Sequence, residues 1–242
     1  MLFLFPILRR LAVLAIVLAI PLVAGELVAR KLLGDAVRSA VVARIGGSAQ
    51  ISFGSTPVLW QLVHGHLNVS VTAARVDFRG LPPVSLRGQL DDIHLTSLTS
   101  LQGAIGAVTV EAKLGPDGVR DLLSSPRCID SLPSSLAAAL TARPRVLIFP
   151  GHVSLLPPVG RSAELRLRPR ALGGSVDFHV IAVVLNSAPV APSTLDAVAA
   201  QADCVRQLGD LPFGLRLAHA GAGSGAVTLG FAASDSSFSA AG

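Results

Sequence analysis

The 242-residue chain contains no tyrosine, one tryptophan, one methionine and two cysteines, and only 14% of its residues are charged. So little charge excludes a disordered chain, which stays open because it is polar and self-repelling. It also excludes a coiled coil, whose helices need charged flanks along an apolar seam. The shortage of aromatic residues argues against a nucleic-acid reader, because such proteins combine a dense basic face with rings on which bases stack. What is abundant is apolar: 51% of residues are hydrophobic, with 23 glycines and 16 prolines among the remainder of the chain. That many breakers excludes a helical bundle and implies short segments joined by turns. The net charge of +5 overstates the basic character. It falls to +3 from Glu26 onward, once Arg9 and Arg10 are set aside with the N-terminal segment.

Arg9 and Arg10 precede an unbroken apolar run, Leu11 to Ala24. As a helix this run spans only about 21 Å, short of the roughly 30 Å hydrocarbon core, which suits the central region of a signal peptide. The apolar character continues through Leu27, Val28 and Ala29, interrupted only by Glu26, so a retained membrane anchor is the alternative. Val23-Ala24-Gly25 is a poor cleavage site. Basic residues ahead of the run place the bulk of the chain outside the cytoplasm, in the periplasm or on the outer face of the cytoplasmic membrane. The expected organisation is a signal peptide or anchor over 1–25, a single domain over 26–233 and a flexible tail over 234–242. Cys128 and Cys204 lie 76 residues apart. In an oxidising compartment an isolated pair reads as one disulfide; two buried free thiols are the alternative.

Glu26 to Ile45 reads as a long helix with charges gathered on one strip and a broad apolar face that includes Leu33, Val37 and Val41. Gly46-Gly47 ends it. Strand follows strand thereafter. Leu67, Val69, Val71 and Ala73 alternate with polar residues, and so do Val84, Leu86 and Leu90, then Val108, Val110, Ala112 and Leu114. Ala163, Leu165 and Leu167, then Val176, Phe178 and Val180, then Phe213, Leu215 and Leu217, then Val227, Leu229 and Phe231 repeat the pattern. Period-two alternation marks antiparallel sheet with one dry face. The phase slips at Ala73-Ala74, at Asp91-Asp92 and at Val180-Ile181, as β-bulges would make it, and bulges bend a sheet. Asp117–Leu123 and Ser193–Leu208 read as shorter helices, the latter with Ser193 and Asp196 in capping-box spacing. The expected fold is α+β: a curved, bulged antiparallel sheet wrapped around a long N-terminal amphipathic helix, with a shorter helix near the C-terminus.

Local catalytic signatures are missing. His64 and His66 form an H-x-H pair that can share a strand face, but no cysteine or carboxylate stands close in sequence to complete a metal shell. Solvated polar positions are the favoured reading, so no metal and no cofactor is expected. Asp91 and Asp92 point to opposite faces of a strand and make a poor acid/base pair. The segment Gly221-Ala222-Gly223-Ser224-Gly225 lies between two strands, so it is a hairpin turn and not a phosphate loop, which requires a following helix. No G-x-S-x-G elbow presents a serine.

One stretch is distinctive: Pro57-Val58-Leu59-Trp60-Gln61-Leu62-Val63-His64-Gly65-His66-Leu67, preceded by Gly54. It resembles the Gly-x-Pro-Phe-Leu-x-Gln-Leu-x-x-Gly-x-Leu stretch of the LmeA-like family of exported phospholipid-binding proteins, with one extra residue before Pro57 and Val58 in place of Phe. The order of export segment, helix, motif and alternating strands agrees with that family, as does the ending Asp210-Leu211-Pro212-Phe213-Gly214-Leu215-Arg216-Leu217. The resemblance implies a tubular lipid-binding type of fold and a non-catalytic, membrane-associated envelope protein that carries or presents phospholipid. It further implies a supporting role in envelope glycolipid maturation, with glycolipid-synthesis enzymes as partners. Pro57, Leu59, Trp60 and Leu62, with Leu33, Val37 and Val41 of the helix, are the lipid-contact candidates; for Trp60, plugging one end of the core is the other reading. An exported enzyme acting on envelope lipids or glycolipids through dispersed residues is the alternative function.

Overall fold

The computed structural model describes residues 22–39, 41–42, 48–76, 82, 84–97, 102–124, 128, 132–140, 143–160, 162–202 and 204–239. The apolar run before Leu22, the helix end at Ile45 with Gly46-Gly47, and the strand end at Phe78 lie outside the described residues. A helix, α1, occupies 22–39 and 41–42. It is followed by β1 (Ser48–Ser52), α2 (Val58–Val63), β2 (Leu67–Val76), β3 (Val84–Ser97) and β4 (Gln102–Leu114). Next come α3 (Pro116–Leu123), α4 (Ser134–Leu140), β5 (Arg145–Phe149), β6 (His152–Leu156), β7 (Ala163–Leu172) and β8 (Ser175–Leu185). The short β9 (Ala188–Pro189) precedes α5 (Pro192–Gln201), β10 (Val205–Gln207), β11 (Arg216–Ala222) and β12 (Val227–Ser239).

The fold is α+β with antiparallel pairing throughout the described strands. The strands divide into two sheets, where the alternation alone suggests one. The first has the order β1-β2-β3-β4-β12-β11, and the second β10-β8-β7-β6-β5 with β9 beside β8. Alternation says which side chains are dry but not which strands are neighbours, so the division is invisible until the chain is paired. Backbone hydrogen bonds join the sheets at their turns, Gly151 N–H to Ala222 O (2.8 Å) and Gly225 N–H to Ile148 O (3.2 Å). Val69, Val71, Leu86, Val108, Ala112 and Leu229 of the first sheet share one buried core with Val153, Leu165, Leu167 and Phe178 of the second.

The phase slips are real irregularities of register. One falls between Leu67 and Val69, where Asp91 and Asp92 of β3 bulge, and another between Ala73 and Val76. Asp92 adopts a φ of 59°, a left-handed conformation that a bulge supplies and a regular strand does not. Gly221–Gly225 is the β11–β12 hairpin, as its flanking strands require.

Several boundaries differ from the sequence-based expectations. The C-terminal helix stops at Gln201, and its N-cap is Ala191 with no side-chain cap, because Pro192 sits at the first helical position where its missing N–H costs nothing. Cys204 and the strand β10 then take up the segment expected to continue the helix. Phe213 belongs to a 3₁₀ turn (Pro212–Gly214) and not to the following strand. β12 runs on to Ser239, inside the segment expected as a tail, because Ser236 pairs with Ile105 and Ser239 with Gln102. Backbone pairing needs no apolar side chains, so its polar sequence hid it. Cys128 and Cys204 form a disulfide, with Cα atoms 4.3 Å apart.

Candidate functional site

The distinctive motif folds as α2 and the turns around it, and its polar residues hold that segment in place. Gln61 is buried, and its amide is fully used: Nε2 donates to Thr56 O (2.9 Å) and Phe53 O (3.4 Å), while Oε1 accepts from the Asn68 N–H (2.8 Å). One side chain therefore joins the end of β1, the motif loop and the start of β2. Pro57 stands as the N-cap of α2 and offers no side-chain acceptor to the first helical N–H groups. Those groups are met from α1 instead. The Glu26 carboxylate accepts from Val58 N–H (2.6 Å) and Leu59 N–H (2.9 Å). Arg30 donates to the same carboxylate through Nε (2.6 Å) and to Gly54 O and Thr56 O through its two terminal nitrogens.

Glu26, which interrupts the apolar N-terminal segment, is thus the clasp between α1 and α2. Partial burial pushes its carboxyl up, but the Leu59 N–H, the Arg30 guanidinium and the Val58 N–H together hold it below the ordinary value. Gly25 lies against Leu59, close enough that an added Cβ would meet Leu59 Cδ1 at 3.5 Å.

Farther along, α1 lies against the apolar face of the first sheet. Leu33 is buried in the core, and Val37, Val41 and Val42 pack on it. Val41 reaches a small cavity of about 60 Å³ whose other walls include Val71, Leu86, Leu90, Val108, Phe213 and Leu215. No charged residue lines it. A water's share of liquid volume is about 30 Å³ and ligand pockets run from about 300 Å³, so this space holds no acyl chain as it stands. An open groove of about 520 Å³ lies along the opposite face of the same sheet, between Arg87, Gln89, Thr109, Glu111 and His219.

The outward face of α1 changes character along its length. Val23, Leu27, Val28 and Leu32 are exposed in its first half, and Lys31, Asp35 and Arg38 in the middle and second half. Trp60 is 62% exposed and Val63 83% exposed on α2, next to this apolar end through the Glu26 clasp. Trp60 neither lines the cavity nor plugs the core: its ring lies 4.2 Å from the His64 imidazole, on the outside of the molecule. Of the lipid-contact candidates, Val41 is at the cavity, Leu33 is in the core, and Val37 and Leu62 pack on the core. Leu59 is half-buried, and Pro57 and Trp60 are exposed. No described helix is long and apolar enough to cross a membrane.

The motif reading missed Glu26, Phe213 and Leu215. The signal for Glu26 was its position as a lone acid inside an apolar segment, which demands a partner. Phe213 and Leu215 reach the cavity through the strand order, which sequence spacing does not reveal.

The chain is 28% identical over 102 residues to an uncharacterized protein of Mycobacterium tuberculosis, Rv0479c, and equally to Mb0489c, an uncharacterized protein of Mycobacterium bovis. Each aligned stretch covers 41% of this chain and 29% of the relative, so the chain matches less than a third of those proteins' length. No solved structure matches. Residues 24–232, from the first turns of α1 to the middle of β12, match the model of one family, and by that match the chain belongs to the LmeA-like phospholipid-binding family.

Proposed function

We propose that this chain is an exported, non-catalytic phospholipid-binding protein, held at the outer face of the cytoplasmic membrane, that takes up lipid and presents it to enzymes of envelope glycolipid maturation. The observation that carries the reading is the coincidence of a phospholipid-binding family match over 24–232 with an uncharged apolar cavity where α1 crosses the first sheet. The apolar half of α1, with Trp60 and Val63, supplies the membrane contact. It continues the apolar run that begins at Leu11, and Lys31 beside it suits anionic headgroups.

Lipid entry requires the small cavity to widen. Among the described residues α1 lies outside the strand pairing, whereas the Phe213 turn is tied to β12 by Ser236 Oγ–H donating to Phe213 O (2.8 Å), so the acyl chain enters by moving α1 outward. The bulged strands then curve around helix and lipid together. Each methylene buried there contributes about 0.8 kcal/mol, so a chain of ten offsets about 8 kcal/mol of separated contacts.

The test is extraction of a self-quenched fluorescent phospholipid from vesicles of phosphatidylglycerol and phosphatidylethanolamine. Fluorescence should rise saturably with the full-length protein, and Val41→Trp, which fills the cavity, should abolish the rise while leaving the circular dichroism spectrum intact. Lipid that stays in the vesicles at saturating protein counts against the reading, as does extraction unchanged in the variant.

A further inference from the structure

His66 lies 26 residues before Asp92 in sequence, and the two meet with His94 on the polar face of the first sheet. Leu67 pairs with Ile93, so His66, just ahead of β2, faces His94 across the strand pair, and Asp92 lies two residues along on the same face. The Asp92 carboxylate hydrogen bonds to His66 Nδ1 and lies 3.3 Å from His94 Nε2. One potential ligand atom of each residue lies within 4.8 Å of the other two. The two imidazole rings meet edge-on with centroids 5.0 Å apart.

The surroundings position the carboxylate. The Asp92 N–H donates to Asn68 Oδ1 (3.0 Å), which holds the bulge at its left-handed φ of 59°. Gly106 of β4 leaves the space beside it: an added Cβ would lie 3.0 Å from Asp92 Cβ and 3.2 Å from Oδ2. The side chains of His66, Asp92 and His94 keep 61%, 49% and 48% of their surface open, so an ion reaches them without any opening of the fold.

We propose that His66, Asp92 and His94 form a binding site for a divalent transition-metal ion of the zinc type. Two imidazole nitrogens and one carboxylate oxygen suit such an ion, whereas magnesium and calcium require oxygen shells. Two ligands of one tetrahedral zinc ion stand about 3.3 Å apart, from bond lengths of about 2.0–2.1 Å, which the His94–Asp92 pair already matches. Three protein ligands leave at least one position facing solvent, open to water or to an oxyanion. The site is independent of the lipid reading, since it lies on the other face of the sheet from the apolar cavity.

The experiment is calorimetric titration of Zn²⁺ into tag-free, chelator-stripped full-length protein, alongside Asp92→Asn, His94→Gln and His64→Gln. One Zn²⁺ per chain is expected, with affinity at least tenfold lower in the Asp92 and His94 variants and unchanged in the His64 variant. Excess Mg²⁺ should leave the Zn²⁺ isotherm in place, and Co²⁺ should give a saturable visible absorption band at one equivalent. Absence of saturable Zn²⁺ binding overturns the site. So does binding that survives Asp92→Asn and His94→Gln, or that is lost equally in His64→Gln. Because the substituted side chains are exposed, unchanged circular dichroism confirms that each variant is folded.

Discussion

Individual polar side chains, few as they are, fasten the apolar elements together. Gln61 is buried with every amide position engaged, so Gln61→Ala leaves the Asn68 N–H and the Thr56 carbonyl without their partner. That should cost about 2–3 kcal/mol, lowering the melting temperature by about 5–10 °C in a thermal melt. Glu26 has a sharper signature. Its folded pKa lies below its ordinary value of 4.5, so its contribution is complete above about pH 4.5 and is lost as pH falls through the lowered folded value. Glu26→Gln should therefore destabilise by about 1–2 kcal/mol at pH 7, and the gap between variant and parent should close in acid. A gap that is constant from pH 7 to pH 3 contradicts the clasp. These residues were unequally legible in the sequence. Gln61 announced itself as part of a motif, although its role as a three-way joint did not. The His66–Asp92–His94 cluster was illegible, because H-x-H spacing shows two histidines whereas strand pairing selects one of them and recruits a carboxylate from 26 residues away.

Elements built from strong periodic signals appeared where the sequence placed them. The long N-terminal helix and the alternating strands needed only local pattern, and the bulge at Asp91-Asp92 showed as a slip in that pattern. Helix ends and polar strands were less readable. Ser193 looked like a cap, yet Pro192 starts α5 without one, and the serine-rich end of β12 looked like a tail because its pairing is made by the backbone. The placement of Trp60 also escaped local reading, since a six-residue helix presents both faces of the motif and only tertiary packing selects the exposed one. Its exposure yields a prediction for α1 and α2 as a unit. Emission from Trp60 should shift to shorter wavelength on addition of anionic vesicles, because the ring leaves water for the interface. Leu27→Ser combined with Val28→Ser should weaken vesicle binding at least tenfold in a sedimentation assay while leaving the melting temperature unchanged, since both side chains are exposed. Unshifted emission at saturating lipid removes Trp60 from the membrane contact.

Across the described residues as a whole, two antiparallel sheets share a core and leave a small apolar space under α1. The Cys128–Cys204 disulfide closes a loop of 76 residues, worth roughly 4 kcal/mol in the chain-entropy account. Reductant should lower the melting temperature by roughly 10 °C, and unreduced protein should offer no alkylatable thiol. The division into two sheets, and the meeting of Val41 with Phe213 and Leu215 at one cavity, depend on which strands pair, so the sequence showed their ingredients without their arrangement. Under the proposed function this cavity widens to hold an acyl chain. Native mass spectrometry of the full-length protein, purified from membranes and released from detergent in the gas phase, measures this most directly. The expected spectrum contains a population heavier by the mass of one phospholipid, diminished by Val41→Trp and identified by fragmentation of the released lipid. A spectrum of lipid-free protein alone, unchanged after incubation with phospholipid vesicles, contradicts it.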